Sequence, residues 1–401
     1  MRPLFSAEKY KDTSVERKGS CISCGLFKQC ETPKMKPTGG FKKGIMNIGP
    51  FPSKTDDEQD GKFLGKNRIL RRMYAKYGID LYEDCLNLNA LACYPGKHIK
   101  SKKKLDFAVQ ACRRFVTQAI EEHKPKVVVL FGDMALKSVI GHRWKKDLGT
   151  INKWRGFVIP DQQLQTFICP TLVPSFIYDA DIEAETVFEQ DIKRIADTVL
   201  RPFPVFKQPN INVITDLSVL KNIKSSLCAF DYETTGIKPY NKGHKIYCAS
   251  IAVDEDNVFV FEMPNDKEQR KYFKQFLKNP GIYKVAQNMK FEDTWSAVKL
   301  KTKVQGWAWD TQIASHILDN RVGITGLKFQ SYVNFGIIDY DSEIAPHLHA
   351  KDSNSINGLF DFVRIPENAQ KVLEYCAMDS ILEYRLMQIQ TGIIGYDFLP
   401  F

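Results

Sequence analysis

Leu227-Cys228-Ala229-Phe230-Asp231-Tyr232-Glu233-Thr234-Thr235-Gly236 is an apolar run that ends in two acids and a turn. The apolar part reads as a buried strand. Side chains at i and i+2 of a strand share a face, so Asp231 and Glu233 are expected to point the same way. Two acidic stretches follow: Asn288-Met289-Lys290-Phe291-Glu292-Asp293 and Tyr375-Cys376-Ala377-Met378-Asp379. The first lies between a strand-like run, Ile282 to Ala286, and a helix-like one through Trp295 and Val298. The second lies on a helical pattern from Ala369 to Met387, where Tyr375 and Asp379 are four apart and share a face. Hard divalent cations want clustered carboxylate oxygens, and two such ions about 3.5–4 Å apart clamp an in-line phosphoryl displacement.

Three acidic sites in this order, with a tyrosine one helical turn before the last, resemble the 3′–5′ proofreading exonuclease domain of family A DNA polymerases. That domain belongs to the tyrosine-bearing branch of the DEDD nuclease superfamily. The resemblance runs from about Val213 to Met387 and includes Trp309-Asp310-Thr311-Gln312. It implies an RNase H-like α/β domain binding two Mg²⁺ or Mn²⁺ through Asp231, Glu233, Glu292 and Asp379. Tyr375 would orient the attacking water, Asn288 would contact the terminal nucleotide, and Ile237 would wedge against the terminal bases. The family has Asp where Glu292 stands, and Asp293 follows, so either side chain is a candidate ligand, Glu292 being preferred. The implied substrate is a single-stranded or frayed DNA 3′ end.

The first half carries a separate signal in its cysteines, of which the chain has 10. Residues 1–20 are charged and polar, and Val127–Phe131 is far too short an apolar run to span a bilayer. A reducing cytoplasm is therefore expected, where clustered cysteines suggest metal rather than disulfides. Cys21 and Cys24 form a C-x-x-C pair, with Cys93 and Cys112 as partners and Cys30 and Cys85 as spare candidates. By itself such a pair is most often a zinc site. Cys169, Cys228, Cys248 and Cys376 sit in apolar or strand-like surroundings and read mostly as core residues. Strand-like runs at Gly44–Gly49, Leu86–Ala92 and Pro125–Phe131, alternating with helical patterns, predict a parallel α/β/α sandwich.

That succession, over about residues 18 to 200, resembles the family 4 uracil-DNA glycosylases. The resemblance implies a [4Fe–4S] cluster on Cys21, Cys24, Cys93 and Cys112, with Zn²⁺ as the alternative. Phe63 would stack on an extruded uracil and Asn89 would read its polar edge. Two positions depart from the family. Its Gly-Glu-Ala-Pro-Gly appears as Gly49-Pro50-Phe51-Pro52-Ser53, without the acid, and its His-Pro-Ser as Val173-Pro174-Ser175, without the histidine. Losing one charge-stabilising group typically costs on the order of 10²–10³ in rate. A DNA-binding domain with weak or absent base excision is expected.

The formal net charge is +10, and residues 1–205 carry 35 Lys+Arg against 24 Asp+Glu, whereas residues 206–401 carry 22 against 23. A basic half attracts phosphate backbones through counterion release, and Lys102 and Lys103 are the candidate contacts. Arg201-Pro202-Phe203-Pro204 opens a proline-rich connector. The expected domains are residues 1–200, a linker over 201–210, and residues 211–401. Only 22 residues follow Asp379, so a separate DNA polymerase is the expected partner. The apolar tail Tyr396–Phe401 is a candidate anchor for a clamp or single-strand-binding protein. This domain combination resembles bacteriophage replication proteins and implies the cytoplasm of a host cell. An active glycosylase with an end-processing nuclease, and a non-catalytic DNA-tethering processivity subunit, are the alternatives.

Overall fold

A computed structural model describes residues 21–59, 67–96, 101–178 and 182–396. Phe63 and the tail after Tyr396 lie outside the described residues. Contacts group the chain into two compact units. One comprises Lys207–Ser331 with the described residues from Tyr340 onward, the other the described residues up to Phe206 with Tyr332–Asp339. Among the described residues no helix is long and apolar enough to cross a membrane.

The N-terminal unit is built on five strands: β1 (Ile45–Gly49), β2 (Cys85–Asn89), β3 (Val127–Phe131), β4 (Ile159–Asp161) and β5 (Thr166–Thr171). Their order is β2-β1-β3-β5-β4. Four are parallel, and β4 pairs antiparallel with β5 at the edge. Strands buried on both faces need no polar alternation, and Val127-Val128-Val129-Leu130-Phe131 is buried throughout. The helices are α1 (Cys21–Cys24), α2 (Lys54–Glu58), α3 (Arg68–Lys76), α4 (Lys102–His123), α5 (Gly132–Val139), α6 (Ile151–Trp154) and α7 (Ile182–Val199). Leu70, Met73 and Tyr74 of α3 and Phe188, Ile192 and Ile195 of α7 pack on Ile45, Val127 and Val129. A buried polar set survives there because it is satisfied: Tyr74 donates to Asn47, Asn47 to Asn87, and Asn87 to the Leu81 carbonyl. The second strand stops at Asn89, short of the expected Ala92. Beyond it the Ala90 and Leu91 amides turn to the carbonyls of Gly49 and Pro50.

The C-terminal unit has six strands: β6 (Asn210–Val213), β7 (Leu227–Thr234), β8 (Ile246–Ala252), β9 (Asn257–Glu262), β10 (Tyr283–Ala286) and β11 (Trp307–Asp310). Their order is β11-β10-β7-β8-β9-β6. Strands β7, β8 and β9 are antiparallel, β10 and β11 run parallel to β7, and β6 runs parallel to β9. Its helices are α8 (Lys267–Lys278), α9 (Lys290–Trp295), α10 (Thr311–Leu318), α11 (Leu327–Phe335, of which Leu327–Ser331 belong to this unit), α12 (Ala345–Leu348), α13 (Leu359–Phe362) and α14 (Pro366–Ile394). Helix α14 lies across β7–β10, packing Val372, Cys376, Ala377 and Ile381 with Ala229, Cys248 and Val285. The other face of the sheet packs Phe230 and Tyr232 with Phe273, Phe276 and Trp295. The period of two along β7 therefore sends Phe230 and Tyr232 to one core and leaves Asp231 and Glu233 on the α14 side. That is the mixed α/β framework expected for this half.

Candidate functional site

On the α14 side of β7 Asp231 and Glu233 stand together, Asp379 acts on Asp231 and Asp231 on Glu292 through charge, and neither Asp379 nor Glu292 joins the tight group that Asp231 and Glu233 form. Ligand atoms of Asp231, Glu233 and Cys376 lie within 4.8 Å of one another. Cys376 is a core residue, as its sequence surroundings predict, and also borders the acids. Its thiol is 3.8 Å from Asp231 Oδ2 and 3.3 Å from Ser250 Oγ. Helix α14 brings Tyr375 and Asp379 to this face one turn apart. Asp379 Oδ1 accepts from Lys328 Nζ at 2.6 Å and from the Tyr340 hydroxyl at 2.5 Å. Lys328 Nζ also sits over both tyrosine rings, 3.9 Å from the centroid of Tyr340 and 4.2 Å from that of Tyr375. Neither Lys328 nor Tyr340 belongs to a sequence motif, because tertiary packing alone brings them to Asp379.

Glu292 and Asp293 occupy the first turn of α9 but face different surroundings. Glu292 is 2% exposed, and its Oε2 has no hydrogen-bond partner. Asp293 accepts from Trp307 Nε1 at 3.2 Å. Asn288 is exposed in the left-handed region, φ 63°, a conformation asparagine tolerates better than most residues. Asp310 holds that turn by accepting from the amides of Asn288 and Met289, and it caps α10 through the amides of Gln312 and Ile313. Ile237 is 63% exposed just after the β7 turn. Gly236 is required at that turn, since a Cβ there would lie 2.4 Å from His244 Cε1.

The electrostatics fit cations. Burial, then Asp379, push the Asp231 carboxyl well above the ordinary range, with Lys328 opposing. Burial and then Asp231 do the same to Glu233 and to Glu292. A fifth acid outside the sequence motifs, Glu383 of α14, is raised by burial and by Asp231, Glu292 and Asp379. Its one sequence signal is its place a helical turn past Asp379. Buried like charges with orphaned oxygens are costly unless a cation shares them, so these side chains suit a divalent metal centre.

In the N-terminal unit five sulfurs share one neighbourhood. Cys93 and Cys112 lie in one small core with Cys24 and Cys30 packed against it, and Cys21 and Cys24 act on the thiols of both. Burial first, then Cys93, push the Cys30 thiol up to about 12, and burial pushes Cys112 up to about 11. The Lys34 amide donates to Cys93 Sγ at 3.3 Å, and Arg114 Nη2 to Cys21 Sγ at 3.7 Å. Cys85, the other spare candidate, lies apart in the main core. Four of these sulfurs lie in or against the apolar core while Cys21 faces Arg114, and among the described residues no three of the five bring their sulfurs within 4.8 Å of one another.

Half-buried Asn89 lines a cavity of about 10 Å³ with Thr38, Asp56 and Asn87, room for roughly one water. Pro50 offers only its carbonyl, to the Leu91 amide. A Cβ on Gly132, φ 77°, would meet Val173 Cγ2 at 2.4 Å, so Val173 is packed against backbone there. Lys102 and Lys103 are exposed in the first turn of α4, where the helix dipole adds to their positive field.

Residues 37–193 match a family model described as the uracil DNA glycosylase superfamily, and residues 212–391 one described as a 3′–5′ exonuclease. DNA polymerase I of Chloroflexus aurantiacus is 29% identical over 138 residues, 31% of this chain and 14% of the relative. The chain thus spans a small part of that relative's length. Among solved structures, Brucella melitensis NrnC with bound Mg²⁺ is similar at 20% identity over 47% of this chain and 83% of that one, TM-score 0.33. The Trypanosoma brucei RNase D:GMP complex is similar at 17% identity over 47% and 58%, TM-score 0.37. By its two family matches, the chain joins a uracil-DNA-glycosylase-like domain to a 3′–5′ exonuclease domain.

Proposed function

We propose that the C-terminal domain is a metal-dependent nuclease that removes nucleotides from DNA 3′ ends. The observation that carries this reading is that carboxylates of β7, α9 and α14 act on one another's charge, with Glu233, Glu292 and Asp379 buried and Glu292 holding an orphaned oxygen. Asp231, Glu233, Glu292 and Asp379 would hold two Mg²⁺ or Mn²⁺, with Asp293 the alternative to Glu292. Bound there, the ions supply Lewis-acid stabilisation of charge building on the phosphate. Tyr375 orients the attacking water, and Lys328 and Tyr340 fix the Asp379 carboxylate in place. Exposed Ile237 wedges against the terminal bases while Asn288 contacts the last nucleotide. Backbone and stacking are read, so base identity matters little. The test is product analysis: nucleoside monophosphates released from a single-stranded oligonucleotide with Mg²⁺ and none with EDTA. Release of free bases or longer fragments instead would contradict the reading.

In the N-terminal domain, Cys21, Cys24, Cys93 and Cys112 would hold a [4Fe–4S] cluster, with Zn²⁺ the alternative. Pro50 carries no carboxylate to activate water, and Val173 offers no charge to a departing base, so this domain grips DNA and excises uracil weakly or not at all. Lys102 and Lys103 contact phosphate. Such a chain would serve viral DNA replication in the host cytoplasm beside a separate polymerase. Uracil release at rates typical of active glycosylases would favour a repair enzyme instead.

A further inference from the structure

Glu383 is the acid that the nuclease reading leaves without a task. It lies on α14 one turn beyond Asp379 and two beyond Tyr375, so the three share a face. It is 1% exposed, and its Oε2 has no hydrogen-bond partner. The Gln287 amide donates to its carboxylate, tying α14 to the loop that leads into Asn288 and Glu292. The charged groups that act on it are Asp231, Glu292 and Asp379. Glu292 also carries an orphaned, buried Oε2.

A helix core position has no use for an unpaired carboxylate, since an apolar side chain of the same volume avoids the desolvation cost. Two orphaned carboxylate oxygens on separate elements, each acted on by the charge of Asp231, therefore point to a shared ligand of opposite charge. We propose that Glu383 is a fifth carboxylate of the metal centre and, with Glu292, a ligand for a hard divalent cation of the Mg²⁺ or Mn²⁺ class. This rests on the nuclease reading of the same site.

Mn²⁺ binding to the full-length protein, followed by calorimetry and by electron paramagnetic resonance, tests it. Glu383→Gln keeps the volume and an acceptor for the Gln287 amide but removes the charge. At least one Mn²⁺ should bind about 10–100-fold more weakly than in wild type. Wild-type affinity and stoichiometry in Glu383→Gln, with binding lost in Asp231→Asn, would overturn the assignment and leave the nuclease reading standing. Wild-type binding in Asp231→Asn as well would overturn both. Should Glu383→Gln fail to fold, Glu383→Asp, which withdraws the carboxylate by one methylene, is measured in the same way. Weaker binding then supports the assignment and unchanged binding overturns it.

Discussion

Asp231 stands among groups of its own sign, with Asp379 acting on it, Glu233 acted on by it, and Lys328 as counter-charge. The carboxyls of Asp231, Glu233 and Glu292 are raised above their ordinary values chiefly by burial. Such groups bind more protons folded than unfolded, so the stability of the metal-free protein falls as pH rises from about 4 through the raised values. In EDTA the melting temperature should therefore fall as pH rises above the ordinary carboxylate range, and saturating Mn²⁺ should flatten the profile. A metal-free profile that rises with pH would contradict these protonation states. Lys328 supplies the opposing charge. Lys328→Met should cost about 2 kcal/mol in EDTA, read from the urea midpoint, because a largely buried carboxylate loses its charge-assisted hydrogen bond. An unchanged midpoint would show that the pair contributes nothing.

Helix α14 and strand β7 are the elements that build the site, and both are legible in part from the sequence. The apolar run before Asp231 and the two-residue period place Asp231 and Glu233 on one face, as β7 has them. The helical pattern from Ala369 to Met387 lies inside α14, which begins at Pro366 and ends at Ile394. Pro366 sits where a helix tolerates proline, so the true start precedes the apolar pattern. The same pattern hides Cys376 and Glu383. A cysteine among apolar helical residues reads as core, and a single glutamate reads as surface until its helix is laid on a sheet. Lys328 and Tyr340 give no local signal, because no short-range spacing links them to Asp379. The turn after β7 makes its own prediction: Gly236→Ala drives a methyl into His244, whose Nε2 pairs with the Asn354 carbonyl. It should lower stability by about 1–3 kcal/mol, and an unchanged melting temperature would show that the loop yields.

Across the whole chain, charge divides the labour: the first half is net basic and the second nearly balanced. Lys102, Lys103 and Lys104 crowd the positive end of α4, an arrangement relieved by an anionic ligand. Replacing all three with Ala should lower the slope of log affinity against log salt for single-stranded DNA by about 2, roughly 0.7 for each phosphate no longer neutralised. An unchanged slope, read by fluorescence anisotropy, would place the phosphate-binding lysines elsewhere. Cysteine spacing suggests which sulfurs group together, but Cys30 joins them only through the folded path that carries it to Cys93. In the proposed function, carboxylates from β7, α9 and α14 act as one metal centre on a DNA 3′ end. The most direct measurement is a 5′-labelled single-stranded oligonucleotide incubated with Mn²⁺ and wild-type or Asp231→Ala protein. A ladder shortening from the 3′ end is expected, slowed by about 10³-fold in the variant. An intact oligonucleotide with wild type, or an equal ladder with Asp231→Ala, would contradict it.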